Sequence, residues 1–154
     1  MSSPADAARG ILETNRYVVL ATVDAQGVPW ATPVWFAHDG LAELLWVSPP
    51  DSRHSRALAA EPRLAVTVFD SGVEPGHGTA FYGRGRAAEC PAADLAGRIA
   101  VYSEHSVAQG IGPWDVARVS GDSRLRLYVA HLDEVSVLLD TDGPERRLPV
   151  DPVR

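Results

Sequence analysis

The stretch Ser48-Pro49-Pro50-Asp51-Ser52-Arg53-His54-Ser55-Arg56 holds the densest group of side chains able to do chemistry in this chain. The two prolines close a preceding element. Asp51 reads as the cap of a short helix that runs to Ala60 and is stopped by Pro62. A helix N-terminus carries partial positive charge and favours carboxylates in its first turn. Here Arg53, His54 and Arg56 occupy that turn instead, each costing roughly a few tenths of a kcal/mol unless something offsets it. A bound phosphate would reverse the sign, accepting free backbone N–H groups, the Ser52 hydroxyl and a forked guanidinium together. The competing reading is that the long side chains fan into water, and this stretch alone leaves both open.

Other candidates carry less. His38, His77, His105 and His131 are scattered without any paired metal-ligand spacing, so no structural zinc site is expected. Cys90, the single cysteine, precedes Pro91 and has no lysine or arginine at helical spacing to activate it; it reads as an inert small residue. Ser55 and Ser103 lack an identifiable base and orienting group, so a hydrolase finds no support. Gly72, Gly76 and Gly78 resemble a phosphate loop only in their spacing, because no Lys-Ser/Thr pair follows and no helix opens there; a hairpin bend is expected. Trp114, near Gly110 and Gly112, is a candidate to cover a ligand from a neighbouring subunit.

These residues need elements to hold them. Ser3-Pro4 with Asp6 predicts a helix to about Thr14, with Ala8, Ile11 and Leu12 inward. Strands are expected at Tyr17 to Val23, buried on both faces, then at Trp30 to Ala37, Leu44 to Ser48 and Leu64 to Phe69. A further strand is expected from Thr79 to Glu89, where Gly83 and Gly85 signal a bulge or the close approach of something flat. A helix from Ala92 to about Ser103, a turn near Trp114 to Val119, and strands at Leu125 to His131 and Val135 to Leu139 follow. The tail from Asp140 is polar and proline-rich, and is expected to be partly ordered only by a partner.

The chain has 154 residues, 45% hydrophobic and 22% charged, which suits one domain with one core and argues against disorder. The formal charge of −6 works against a nucleic-acid surface. No apolar run approaches the roughly 20 residues that span a bilayer, and the start MSSPADAARG lacks a signal-peptide pattern. A cytoplasmic protein is expected, with no nucleic-acid or membrane partner.

The order of segments is the most specific feature. Trp30-Ala31-Thr32-Pro33-Val34-Trp35-Phe36, a DG turn, Leu44-Leu45-Trp46-Val47-Ser48, the Ser-Arg-His helix start and Glu61-Pro62-Arg63 follow one another. As a set, over about residues 10 to 90, this resembles the pyridoxamine 5′-phosphate oxidase-like family of FMN-binding split barrels. The resemblance implies a single domain over 1–154, mainly β with flanking helices: a six-stranded antiparallel split β-barrel of FMN-binding type, paired as a homodimer. It also implies that Ser52 and Arg53 hold the FMN phosphate, with His54 where lysine is common. Thr32, Val34 and Trp35 from one strand, and Val47 and Ser48 from the next, would line the path from phosphate to ring. No catalytic side chain is assigned. An FMN-dependent oxidoreductase with a small-molecule substrate, and NAD(P)H as a possible electron donor, is the expected activity. The vitamin-forming reaction is not, because Glu145-Arg146-Arg147-Leu148-Pro149 lacks the Arg-x-His pair expected to grip that substrate. F420 in the same groove, with Arg56, Arg84 and Arg86 along its acidic tail, and a non-catalytic flavin or haem carrier remain the alternatives.

Overall fold

The structure is a computed structural model and describes residues 3–140 and 146–153. Helix α1 (Pro4–Thr14) begins as its sequence demands. The Ser3 hydroxyl accepts the Asp6 N–H at 3.1 Å, and the Asp6 carboxylate accepts the Ser3 N–H at 3.1 Å, while Ala8, Ile11 and Leu12 turn inward.

The remaining regular elements are β1 (Tyr17–Val23), β2 (Pro29–Trp35), β3 (Ala37–Asp39), β4 (Glu43–Ser48), α2 (Arg53–Ala60), β5 (Arg63–Phe69), β6 (Ala80–Glu89), α3 (Leu95–Ala108), β7 (Arg126–Leu138) and β8 (Arg147–Val150). A 3₁₀ turn, Val116–Val119, precedes β7. All strands join one antiparallel sheet in the order β2-β1-β5-β6-β7-β4-β3, with β8 added on β7. The sheet curls until β2 comes back beside β4, which makes a split barrel with helices around it.

In place of a six-stranded barrel there are seven strands along the curled path and an eighth beside it: of the seven runs expected, one divides, two join and the tail adds one. The run expected from Trp30 to Ala37 breaks at Phe36, whose ring is buried and whose N–H donates to the Arg16 carbonyl (3.3 Å). There the chain changes partners, β2 pairing with β1 and β3 with β4. The two expected late strands are one, β7, because a bulge absorbs Asp133 without ending the ladder. Of the tail, Arg147–Val150 pair with β7 of the same chain, Pro149 opposite Ser136; residues 141–145 lie outside the described residues.

Gly83 and Gly85 are explained within the chain. A Cβ at Gly85 would collide with the His131 carbonyl at the bulge, and one at Gly83 would come within 2.7 Å of Leu132 Cδ1. The close approach is therefore by β7, not by a flat ligand.

Two cores result. The first fills the curl with Val18, Leu20, Leu44, Trp46, Val66 and Phe81, and α1 closes onto it. The second lies outside β4 and β7, where Leu45, Leu127 and Val129 meet Ile99 and Tyr102 of α3. Strand β1 is buried on one face only: Tyr17, Ala21 and Val23 are exposed on the other, which nothing among the described residues covers.

Candidate functional site

Helix α2 is anchored from beneath. Ser55 is buried and shares a hydrogen bond with the Tyr128 hydroxyl, and Tyr128 stacks on Trp46 at 5.9 Å. The cap is Ser52 rather than Asp51. Its hydroxyl accepts the Ser55 N–H (3.3 Å) and donates to Ser55 Oγ (2.7 Å), a reach the longer Asp51 side chain one residue earlier does not make.

The first turn of α2 contains no acidic side chain. Arg53 lies over the Trp30 ring, 4.0 Å from its centre, and meets no carboxylate among the described residues. Arg56 folds back and donates to the Asp51 carbonyl (2.6 Å). His54 turns inward: its Nε2 shares hydrogen bonds with Ser48 Oγ (2.8 Å) and Ser52 Oγ (3.3 Å). Partial burial lowers its pKa below the ordinary 6.5, which favours the neutral ring.

The fold therefore brings Ser48, Ser52, Arg53 and His54 together, and adds Trp30, whose indole face carries Arg53. By strand alternation Trp30, Thr32 and Val34 share one face of β2, opposite Thr22, Leu20 and Val18 of β1. Val34 packs on the first core and Thr32 is half-buried above it. Trp35 and Val47 are committed elsewhere. The Trp35 indole N–H donates to Gln109 Oε1 (2.8 Å) and its ring meets Tyr102 edge-on at 4.9 Å, while Val47 packs on the second core. Trp114 also packs on Tyr102, with the Arg118 guanidinium 3.6 Å above it. Trp30 carries no sequence signal beyond its alternation with Thr32 and Val34.

A groove lies at the other end of α2. About 840 Å³ opens between the 24–29 turn and strands β5 and β6, floored by Ala21, Val23 and Ala65 and edged by Arg63, Arg84 and Arg86. Arg63 is held by Glu61 and Arg84 by Glu134. The cationic start of α2 and this groove are thus separate features of one chain. The start of α2 offers an arginine that meets no carboxylate among the described residues and the first N–H groups of the helix, a donor set of the kind that suits a phosphate.

Cys90 is buried, and its thiol pKa is raised by that burial. No cluster of three or more metal-ligating side chains exists among the described residues. No helix among them is long and apolar enough to cross a membrane.

A family model described as pyridoxamine 5′-phosphate oxidase matches residues 4–138. No curated protein matches the sequence. Among solved structures, the chain is similar to a haem-binding protein from Mycobacterium smegmatis, at 21% identity and a TM-score of 0.76 over 99% of this chain. The chain spans only 60% of that protein's length. An FAD-binding protein from Mesorhizobium loti is 22% identical with a TM-score of 0.65, covering 89% of this chain and 94% of its own. An F420 reductase is 23% identical with a TM-score of 0.59, covering 83% and 94%. At these identities the likeness shows the fold.

Proposed function

The chain belongs to the pyridoxamine 5′-phosphate oxidase family, and from that premise we propose that it binds FMN at the start of α2, between two copies of itself, as an oxidoreductase. The observation that carries this reading is Arg53: an exposed guanidinium in an acid-free first helical turn, stacked on Trp30 and flanked by Ser48, Ser52 and His54. Such a turn lacks an internal counter-charge, and a phosphate monoester supplies one.

In this reading Arg53 and the first N–H groups of α2 take the phosphate. Ser52 spends its hydroxyl hydrogen on Ser55, so it serves as cap and as acceptor rather than as a phosphate donor. His54 donates from Nδ1, with Ser48 fixing its other nitrogen. Thr32 and Val34 support the path toward the ring. A flavin supplies hydride or single-electron chemistry when bound, while the protein orients it and excludes water. The substrate is a small molecule, with NAD(P)H the electron donor to test first.

The second wall is a second copy. The outer face of β1 and β2 presents Tyr17, Ala21, Val23, Ala31 and Pro33, with Tyr17 60% and neighbouring Phe69 48% exposed. An apolar sheet face of this extent on a small domain marks an association surface, and a two-fold pair buries it twice while making two equivalent grooves. Pyridoxamine phosphate oxidation stays outside the proposal, since the tail lacks the Arg-x-His pair and Arg147 in β8 lies over Tyr82 at 4.4 Å.

F420 is the second reading, favoured by the groove edged by arginines. Of the three arginines expected along its tail, Arg56 is turned to a backbone carbonyl and Arg84 to Glu134, which leaves Arg86. The absorption spectrum of the purified protein separates the readings. Flavin absorbs near ~450 nm, F420 and haem near ~420 nm (properties of the cofactors, not of this chain). Arg53→Ala should weaken FMN binding at least tenfold, roughly 1.4 kcal/mol, in a fluorescence titration. A smaller loss removes Arg53 from the site.

A further inference from the structure

The fold brings together two histidines that lie far apart in sequence. His38 is the middle residue of β3 and His105 lies on α3, which packs over that strand; their ring centres are 4.9 Å apart and their planes cross at 67°. The His38 Nδ1–H donates to the Gly40 carbonyl (3.0 Å), and the His105 Nδ1–H to the Val101 carbonyl one helical turn back (3.1 Å). A carbonyl only accepts, so both neutral rings carry their proton on Nδ1 and keep the Nε2 lone pair. Neither Nε2 has a hydrogen-bond partner among the described residues.

A carbonyl behind the far nitrogen is how metal-binding imidazoles are held, because it fixes the tautomer and makes the free nitrogen more basic. The spacing agrees. Two imidazoles bound side by side to one ion, at metal–nitrogen distances near ~2.0–2.1 Å and angles between square and tetrahedral, place their ring centres about 4.5–5.2 Å apart. The carboxylates of Glu13 on α1 and Asp39 on β3 lie near enough to act electrostatically on His38, which favours a cation there. Burial lowers the pKa of His38 and so keeps the ring free to ligate.

We propose that His38 and His105 form a two-imidazole site for one late first-row divalent ion, Zn²⁺ or Cu²⁺, that ties α3 to β3. Imidazole nitrogens suit these ions, and hard Mg²⁺ or Ca²⁺ would find too little oxygen. With two protein ligands the ion keeps water and exchanges; it is not a structural zinc. The same contact excludes a haem held between these two rings, since touching rings leave no gap for a macrocycle.

The site is independent of the flavin reading and is tested on the full chain, metal-stripped, by calorimetric titration with Zn²⁺. One equivalent per chain should bind. His38→Gln and His105→Gln should each weaken it at least tenfold, while His77→Gln and His131→Gln stay within twofold of the parent. Absence of a saturable equivalent, a loss below tenfold in either variant of the pair, or an equal loss in a control overturns the proposal. If a variant of the pair fails to fold, substoichiometric Cu²⁺ is added to the parent protein and the histidine ring resonances are followed by NMR. Broadening of His38 and His105 before the other rings upholds the site; broadening elsewhere first overturns it.

Discussion

Burial favours the neutral form of His54, and a bound phosphate would oppose it. Burial lowers its pKa below 6.5, whereas an adjacent phosphate favours the protonated ring. Binding then takes up a proton, so affinity is greatest at low pH and is lost as pH rises through the pKa of the ring in the complex. The Kd for FMN should rise several-fold between pH 6 and 8.5, and His54→Gln should flatten the curve. The second ionisation of the phosphate, near pKa ~6, is common to both proteins, so their difference isolates the ring. Coincident curves would remove His54 from the site. At this scale the sequence named the charged cluster but not its packing. Ser52, Arg53 and His54 are adjacent in the chain, while the indole beneath Arg53 comes from another strand. That contact exists only because α2 packs on β1 and β2.

Among the elements, most boundaries followed from local chemistry, such as the Ser3 capping box and the Pro62 stop of α2. Where the reading failed, the cause was non-local. Phe36 breaks a run that is continuous in pattern because the two sides pair with different strands, and β7 passes through Asp133 because β6 supplies a glycine at the bulge. The bulge makes its own prediction. Gly85→Ala drives a Cβ into the His131 backbone, which cannot give, and should destabilise the fold by about 3 kcal/mol. Gly83→Ala meets the ends of the Leu132 and Val66 side chains, which can move, and should cost about 1 kcal/mol. Urea denaturation of the two variants compares them directly; equal losses would mean that β7 yields at the bulge.

For the whole molecule, the exposed outer face of β1 and β2 decides whether the site has one wall or two. Ala21→Glu places a carboxylate in the middle of that face, where a self-paired interface would bury two like charges without partners. Light scattering should show the mass halved with an unchanged far-UV spectrum, and FMN affinity at least tenfold weaker. A variant that keeps the parent's mass places the interface elsewhere. A monomer with undiminished affinity means that a single chain completes the site.

By itself the sequence determined the class of the domain, its caps and turns, and the cationic helix start, because each rests on residues within a few positions of one another. It also held the apolar outer face of β1, read there as burial on both sides, although nothing among the described residues supplies the second cover. Only the tertiary structure decided that Trp35 faces α3, that Trp30 lies under Arg53, and that His38 meets His105. Those contacts depend on which strands pair and which helix covers them, and pairing between distant segments leaves no local periodicity to read.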